Sequence, residues 1–350
     1  MNETVSIGVV GTAKNTGKTT TLSHLIDQAH RNGLNSAVTG IGYDGEEIDN
    51  ITMLPKPRLH LHEGTILTTS EVCLKRSPIG YRVIRRTGIP TALGELLIVE
   101  VTKSGLIVVA GPNKVTSLRI VLEHMRELQR DVVFVDGSIN RMMPMSVVDK
   151  LIFATGAARN VEIPFLTAEM NAIAFLFQPD VHPEAVNPER VTFIRENGDP
   201  VEFTFRSVID SDDVDMLQSH FNTGKNTIVI PGMISKAALK QIDKNNLQQY
   251  RSTRLVLSSP FPLLLTENPV DTVPVIESLI RNGITISYIR KPQLTGVTIN
   301  PFYPRYEREQ FSSAYIDKEK LMKEMQDTLS VPVFNVKEDI GDRLFELCYK

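Results

Sequence analysis

The strongest constraint on the fold of this chain is a short apolar segment that leads directly into a glycine-containing loop and then into a helical pattern. Residues 5–10 are mostly apolar and are typical of a buried parallel strand. Gly11–Thr20 forms the loop, and apolar residues then recur at helical spacing at Leu22, Leu25, Ile26 and Ala29. A strand, a loop that ends in Gly-Lys-Thr and a helix, in this order, predict a phosphate-binding loop.

The residue types of this loop suit a triphosphate and its metal ion. Gly17 lets the backbone approach the phosphates and tolerates positive φ, and Lys18 adds a mobile positive charge for the outer phosphates. The hydroxyl of Thr19 is an oxygen ligand of the kind that Mg²⁺ prefers. N–H groups of the loop and of the helix predicted over residues 18–32 would point at the anion. The predicted nucleotide-binding residues are Gly11, Thr12, Lys14, Asn15, Thr16, Gly17, Lys18, Thr19 and Thr20.

The spacing of the loop departs from the common pattern. Five residues separate Gly11 from Gly17, one more than is usual between the two glycines. The longer loop resembles that of dethiobiotin synthetase and of the cobyrinic and cobyric acid amide synthases, in a class that also holds the MinD/ParA and nitrogenase iron proteins. That class often carries a signature lysine just after the first glycine. The corresponding place here is Ala13, and Lys14 follows one residue later, so we do not assign that role to Lys14.

Two carboxylates follow later predicted strands. Residues 35–41 predict a second strand, which runs into the acidic loop 42–49. The strand predicted over residues 131–135 ends in Asp136, an arrangement typical of a Walker-B strand whose carboxylate orients Mg²⁺ through water. Because ligands of open α/β sheets collect at the carboxyl ends of strands, both segments should face the phosphates. The alternatives are a solvated acidic loop for residues 42–49 and a plain turn after residues 131–135.

Within the acidic loop, Asp44 resembles the aspartate that contacts the metal or the attacking water in the MinD/ParA and iron-protein class. Lys18, Asp44 and Asp136 are therefore the predicted catalytic residues. Thr19, Asp44 and Asp136 are the predicted Mg²⁺ ligands. The chain carries no Asn-Lys-x-Asp guanine signature, so ATP is the predicted nucleotide.

Composition limits the class of partner and the cellular compartment. A formal net charge of −3 and a pI of about 6.2 disfavour nucleic acid and anionic membranes, which both require a basic face. The apolar runs are of strand length, far shorter than a spanning helix. Two cysteines, Cys73 and Cys348, provide neither a disulfide framework nor a metal quartet. Met1 leads directly into the first strand without a signal peptide, so a cytoplasmic location is expected.

A length of 350 residues favours two domains. We predict an α/β fold in which a parallel-sheet nucleotide-binding domain, residues 1–158, carries a β-rich insertion at about 50–112. A second α/β domain would occupy residues 159–350, because its strands and helices alternate. Turn signals predict one hairpin at residues 102–105 and another at Asn197-Gly198.

Three further patterns are weaker. His60 and His62 would lie on one face of a strand, but no third ligand follows at a suitable spacing, so zinc is not expected. Residues 222–225 imitate the end of a phosphate loop without a preceding strand or a following hydroxyl. The aromatic and proline-rich segment 298–306 is interpreted as a loop that is either a partner surface or a packed crossover.

Several segments together resemble the reactivase subunit of lysine 5,6-aminomutase. They are Gly11–Thr20, Gly42–Asp49, Thr87–Ile89, Val133–Gly137 and Val297–Pro304. The resemblance covers most of the chain and implies an ATP-dependent factor that exchanges damaged cobalamin from an adenosylcobalamin-dependent mutase. It also implies protein partners, namely the aminomutase and a MutS-like ATPase subunit. ATPase activity and homodimer formation are left open.

Two other functions compete with this chaperone function. An ATP-dependent carboxylate-activating ligase, as in dethiobiotin synthetase, is favoured by the loop spacing. A glutamine-dependent amide synthase is disfavoured because Cys348 lies outside any Gly-x-Cys-x-Gly elbow. A MinD-like membrane ATPase is disfavoured by the missing signature lysine and by the lack of a basic amphipathic tail.

Overall fold

The computed structural model is a mixed α/β chain with two large sheets that contain parallel strands. It describes residues 4–42, 58–138, 141–182, 189–195, 198–220, 225–244, 253–307, 310–338 and 343–349. Asp44 and most of the predicted acidic loop lie outside the described residues, as does the segment 222–225 apart from its last residue. Within the described ranges, no helix has the length and apolar character needed to cross a membrane.

The strands and helices are defined as follows. The strands are β1 (Val5–Gly11), β2 (Ser36–Gly40), β3 (Leu59–Leu61), β4 (Ile66–Ser70), β5 (Gly80–Thr91), β6 (Gly94–Lys103), β7 (Gly105–Ile107), β8 (Val132–Ser138), β9 (Lys150–Gly156), β10 (Thr192–Arg195), β11 (Val201–Glu202), β12 (Asn226–Ile230), β13 (Thr253–Leu257), β14 (Thr285–Tyr288), β15 (Gln293–Asn300), β16 (Phe302–Glu307), β17 (Gln310–Tyr315) and β18 (Val333–Phe334). The helices are α1 (Lys18–Arg31), α2 (Glu71–Lys75), α3 (Val115–Glu127), α4 (Ile163–Leu176), α5 (Ser211–Gln218), α6 (Lys236–Lys244), α7 (Phe261–Thr266), α8 (Pro269–Arg281), α9 (Lys318–Thr328) and α10 (Arg343–Tyr349).

The first compact unit contains Met1–Thr167 and Pro292–Lys350. Its main sheet has the strand order β18-β15-β9-β1-β8-β2-β4-β6-β5 among the described residues. The strands from β18 to β4 are parallel, and β6 and β5 extend the sheet in antiparallel fashion. The central strands are almost entirely buried, which explains why their sequences are continuous apolar runs rather than alternating ones.

The core of this unit forms between the central strands and α1. The helical spacing noted in the sequence buries one face of α1, where Leu22, Leu25 and Ile26 are inaccessible to solvent. This face joins the cluster of Ile7 and Val9 from β1. Because both ends of the loop between β1 and α1 are held in one core, the loop has a rigid base.

The second compact unit, Ala168–Lys291, has its own five-stranded sheet in the order β11-β10-β12-β13-β14. Strands β12, β13 and β14 are parallel, as their alternation with helices predicts. Strands β10 and β11 pair in antiparallel fashion, as the hairpin signal between them predicts, while Asn197 of the turn lies outside the described residues. Helix α5 begins with a capping box between Asp210 and Asp213.

The division of the chain differs from the predicted division at residue 158. Residues 292–350 belong to the first unit, although the sequence placed them in the second. The reason is the parallel pairing of β15 with β9, which adds a strand to the first sheet after the second unit is complete. The second unit is therefore inserted between strands of the first, and its amino-terminal boundary falls inside α4.

The predicted β-rich insertion also needs correction. Residues 50–112 do contain β-structure, but β4, β6 and β5 belong to the main sheet. The hairpin is formed by β5 and β6 around residues 92–93, so the prediction of a hairpin at residues 102–105 is wrong. Strand β7 pairs instead with β3, because the inner edge of β6 is already occupied by β4.

The segment 298–306 is not a loop, contrary to the interpretation of the sequence. Its first residues complete β15, and the rest form β16, which pairs with β17 in a two-stranded hairpin. Pro304 lies inside β16, opposite Ser313 of β17, in a two-stranded hairpin in which both strands are edge strands, the position where strands tolerate proline.

Candidate functional site

The candidate site lies where β1 ends, in the middle of the main sheet. Strand β1 lies between β8 and β9, and the chain passes from Gly11 through a tight loop into α1. Gly17 is the residue before α1 and has φ of 93°, in the left-handed region. As the N-cap residue, Gly17 has no side chain that could cap the N–H groups of the first turn of α1. These N–H groups are oriented as an anion requires at a helix N-terminus.

The first residues of the loop are attached to β9. The N–H of Thr12 donates to the carbonyl of Ala154 at 2.9 Å, and the hydroxyl of Thr12 lies 3.0 Å from that of Thr155. Within the loop, the Thr16 hydroxyl donates to the carbonyl of Ala13 at 2.9 Å. A Cβ at Gly11 would lie 2.9 Å from the Thr16 hydroxyl oxygen, so glycine is required for this compact turn.

Lys18 and Asp136 form an ion pair at the mouth of the loop. The Nζ of Lys18 donates to Oδ1 of Asp136 at 2.6 Å, and about a quarter of each side chain is exposed, 24% and 23%. Asp136 reaches this position because β8 lies directly beside β1, with Asp136 in register with Val9. The structure therefore brings together the lysine and the carboxylate that the sequence assigned to the phosphates and to the metal.

The remaining predicted site residues occupy different environments. Thr19 is partly buried in the first turn of α1, while Thr20 is exposed. Lys14 and Asn15 are exposed at the tip of the loop, and Asn15 has a positive φ of 62°. Asp44 lies outside the described residues, so its catalytic and metal roles stay predictions.

The chain segments that follow β2 and β8 converge at Gly42. The N–H of Ile41 donates to the carbonyl of Asp136 at 2.8 Å, and the N–H of Gly42 donates to the carbonyl of Gly111 at 3.1 Å. A Cβ on Gly42 would lie 2.6 Å from Nη1 of Arg141 and 2.3 Å from Oδ1 of Asn113. Arg141 thus lies at the same edge of the sheet as Asp136.

Asn300 is a residue of the site that sequence reasoning missed. Its Nδ2 donates to the carbonyl of Asn15 at 2.8 Å, and its Cβ is 3.3 Å from where a Cβ of Gly17 would lie. Two residues earlier on β15, the hydroxyl of Thr298 lies 2.8 Å from that of Thr21 in α1. The available signal was a polar residue directly after a short apolar strand, at the position where ligands of parallel sheets collect.

The histidine pair forms a contact network away from the loop. His60 lies in β3 and His62 follows directly after that strand, and their ring centroids are 5.1 Å apart. His62 also stacks on His30 at 3.9 Å, and its Nε2 lies 2.8 Å from Oδ1 of Asp27. Among the described residues, no group of three or more His, Cys, Asp or Glu side chains could hold a metal ion.

The donor set at the loop fits a nucleotide phosphate with a magnesium ion. Main-chain N–H groups and the ammonium of Lys18 match phosphate oxygens, while the Thr19 hydroxyl and the Asp136 carboxylate match a hard cation that retains water ligands. A scan of protein-family models finds none that matches the chain, and a search of curated proteins finds no relative.

Proposed function

We propose that this chain binds ATP with Mg²⁺ at residues 11–20. The observation that carries the proposal is the Lys18–Asp136 ion pair, 2.6 Å long, at the start of a helix whose N-cap residue is a glycine. A cation and a carboxylate at the carboxyl ends of neighbouring strands are the two charges that a metal-bound phosphate requires. The connection from strand to glycine loop to helix supplies the rest of the phosphate cradle.

Each residue has a distinct task in this proposal. The ammonium of Lys18 exchanges its partner Asp136 for the outer phosphates, and the loop N–H groups bind the inner ones. The carboxylate of Asp136, no longer paired with Lys18, and the hydroxyl of Thr19 would hold the magnesium ion, Asp136 through hydrogen bonds to water and Thr19 as an oxygen ligand. Magnesium, when bound, neutralises negative charge on the phosphate oxygens. In the protein without nucleotide, the ion pair thus keeps both charged side chains oriented at the mouth of the loop.

We propose further that nucleotide binding serves a conformational switch that acts on protein partners. The support is the convergence of the segments after β2 and β8 at Gly42 and Arg141, because segments in these places respond to the γ-phosphate in nucleotide switches. By the sequence resemblance, the partners are a MutS-like ATPase subunit and an adenosylcobalamin-dependent aminomutase that needs its cobalamin exchanged. Nucleotide hydrolysis by this chain is part of the same proposal.

A carboxylate-activating ligase is the second candidate function. The observation that favours it is the five-residue spacing between Gly11 and Gly17, which resembles dethiobiotin synthetase. In that case the surface around Gly42 would bind a small acid rather than transmit a signal. Both candidate functions require the same ATP site. They differ in whether ATP acts on a protein partner or on a small carboxylic acid.

Recovery of mutase activity separates the two candidates. The experiment mixes this protein, inactivated aminomutase, cobalamin, the partner ATPase and Mg·ATP, and it uses Lys18→Ala as the control. A switch predicts that mutase activity returns with the wild-type protein and not with the variant. If ATP is consumed only when a small carboxylic acid is added, and mutase activity does not return, the ligase function is correct and the switch is wrong.

A further inference from the structure

Asn300 connects the glycine loop to two other parts of the first unit. Its side-chain Nδ2 donates to the carbonyl of Asn15 at 2.8 Å, and its Oδ1 accepts from the N–H of Phe302 at 3.2 Å. Its own carbonyl accepts from the N–H of Ala157 at 2.9 Å, just after β9. The residue thus links the loop, the end of β9 and the first residue of the β16–β17 hairpin.

The part of the loop that Asn300 contacts has an unfavourable backbone conformation. Asn15 has φ of 62° and Gly17 has φ of 93°, both in the left-handed region. Such conformations persist where the surrounding structure holds them in place. Asn300 reaches both residues, since it hydrogen-bonds to the carbonyl of Asn15 and packs its Cβ against Gly17.

An asparagine is specifically suited to this place because it must donate and accept at the same time. The amide oxygen accepts from the Phe302 N–H, and the amide nitrogen donates to the Asn15 carbonyl. The first of these bonds fixes the orientation of the amide, and the second transfers that orientation to the loop. An aspartate of nearly the same shape could accept from Phe302 but could not donate to Asn15.

We propose that Asn300 is the positioning residue that keeps the glycine loop in its phosphate-binding conformation. This inference rests on the proposed function, because it concerns the same ATP site. Asn300 acts through the loop and does not act on the reacting atoms. A loop held in advance binds its ligand without the loss of conformational freedom that ordering would otherwise require. The bond to Phe302 makes that preorganisation depend on the start of the β16–β17 hairpin.

Loss of the Asn300 side chain should change the affinities for ATP and ADP in a different pattern from loss of the Lys18 side chain. Lys18 acts on the outer phosphates, so its loss should weaken ATP binding more than ADP binding. Asn300 shapes the whole loop, so its loss should weaken ATP and ADP binding by the same factor. If turnover is measured, KM should rise while kcat at saturation stays near the wild-type value, because the reacting groups are unchanged.

The test compares Asn300→Asp and Asn300→Ala with Thr295→Val as the matched control. Thr295 is buried on the same strand, and its hydroxyl donates to the carbonyl of Gln293 at 3.2 Å, away from the loop. Titration calorimetry measures ATP and ADP affinity, and hydrogen exchange measures the amides of residues 12–17 without nucleotide. Both Asn300 variants should lose about tenfold in affinity for each nucleotide and exchange loop amides faster. Thr295→Val should match the wild-type protein in both measurements.

The outcomes separate this proposal from the proposed function. If the wild-type protein binds neither nucleotide, the proposed function is wrong and the role of Asn300 falls with it. If the wild-type protein binds ATP and Asn300→Ala binds equally well, only the role of Asn300 is wrong. A loss confined to Asn300→Asp would show charge repulsion and would also overturn the proposal. If Asn300→Ala fails to fold, wild-type loop exchange in Asn300→Asp overturns the proposal by itself.

Discussion

The backbone at Gly17 allows a quantitative prediction for Gly17→Ala. Its φ of 93° is in the left-handed region, which costs an L-residue about 1–2 kcal/mol. An added Cβ would also lie 3.3 Å from Cβ of Asn300, tighter than an ordinary contact. The variant relieves this strain by moving the loop away from the conformation that binds phosphate. Recovering that conformation on binding should therefore reduce ATP affinity about 5- to 30-fold.

Gly33, at the other end of α1, is a matched control for this substitution. It has φ of 68°, and among the described residues no atom would lie within 4 Å of an added Cβ. Gly33→Ala therefore introduces comparable backbone strain far from the loop. Both variants should lower the melting temperature by about 2–4 °C per kcal/mol of strain. Only Gly17→Ala should lower the affinity for ATP.

Calorimetric titration of the two variants with Mg·ATP, together with thermal melts without nucleotide, makes the comparison. A fall in affinity restricted to Gly17→Ala would support the role of this loop in phosphate binding. If Gly33→Ala loses as much affinity as Gly17→Ala, the loss reflects general destabilisation. If Gly17→Ala binds as tightly as the wild-type protein, the reasoning from loop geometry is refuted.

Three further predictions concern single side chains. Asp136→Asn should abolish the gain in ATP affinity that Mg²⁺ causes, because the metal loses its carboxylate. If titrations of the variant with and without Mg²⁺ still show tighter ATP binding in the presence of Mg²⁺, this role of Asp136 is wrong. Burial raises the pKa of the Cys348 thiol to about 12, so above the ordinary thiol pKa of about 8.5 the unfolded chain loses a proton that the folded chain keeps. The free energy of unfolding should therefore fall with rising pH, with a slope that approaches about 1.4 kcal/mol per pH unit. Denaturant titrations of Cys348→Ala at pH 8–10 should lack that contribution. Equal slopes for the variant and the wild-type protein would exclude it. Tyr288→Phe removes the 2.5 Å hydrogen bond from the buried hydroxyl to the carbonyl of Leu176. This should lower the free energy of unfolding of the second unit by about 1 kcal/mol. An unchanged midpoint in urea denaturation would show that the hydrogen bond contributes nothing to stability.

The central part of the fold could be predicted because its signals are local. The strand, loop and helix from Val5 to Arg31 are contiguous, and each has its own apolar period. Asp136 could be assigned for the same reason, because it terminates an apolar strand and adjacent parallel strands end at one edge of the sheet. The structure places Lys18 beside it as these two patterns imply.

Long-range pairing could not be predicted in the same way. The residues of β15 carry a strand pattern, but nothing local says that they pair with β9, which lies before the entire second unit. Asn300 was consequently placed in a loop that was either a partner surface or a packed crossover, and not in the nucleotide site. The misplaced hairpin at residues 102–105 has a related cause, since several glycine turns compete and the pairing of β6 with β4 decides between them.

The most direct test of the ATP site is equilibrium binding of Mg·ATP to the wild-type protein, Lys18→Ala and Lys320→Ala. Lys320 is an exposed lysine in the first turn of another helix, α9, which Asp317 caps, and it controls for loss of a surface charge. We predict that the wild-type protein and Lys320→Ala bind alike, and that Lys18→Ala loses most of its affinity for ATP. Equal binding by all three proteins, or no binding by the wild-type protein, would contradict the assignment of the ATP site.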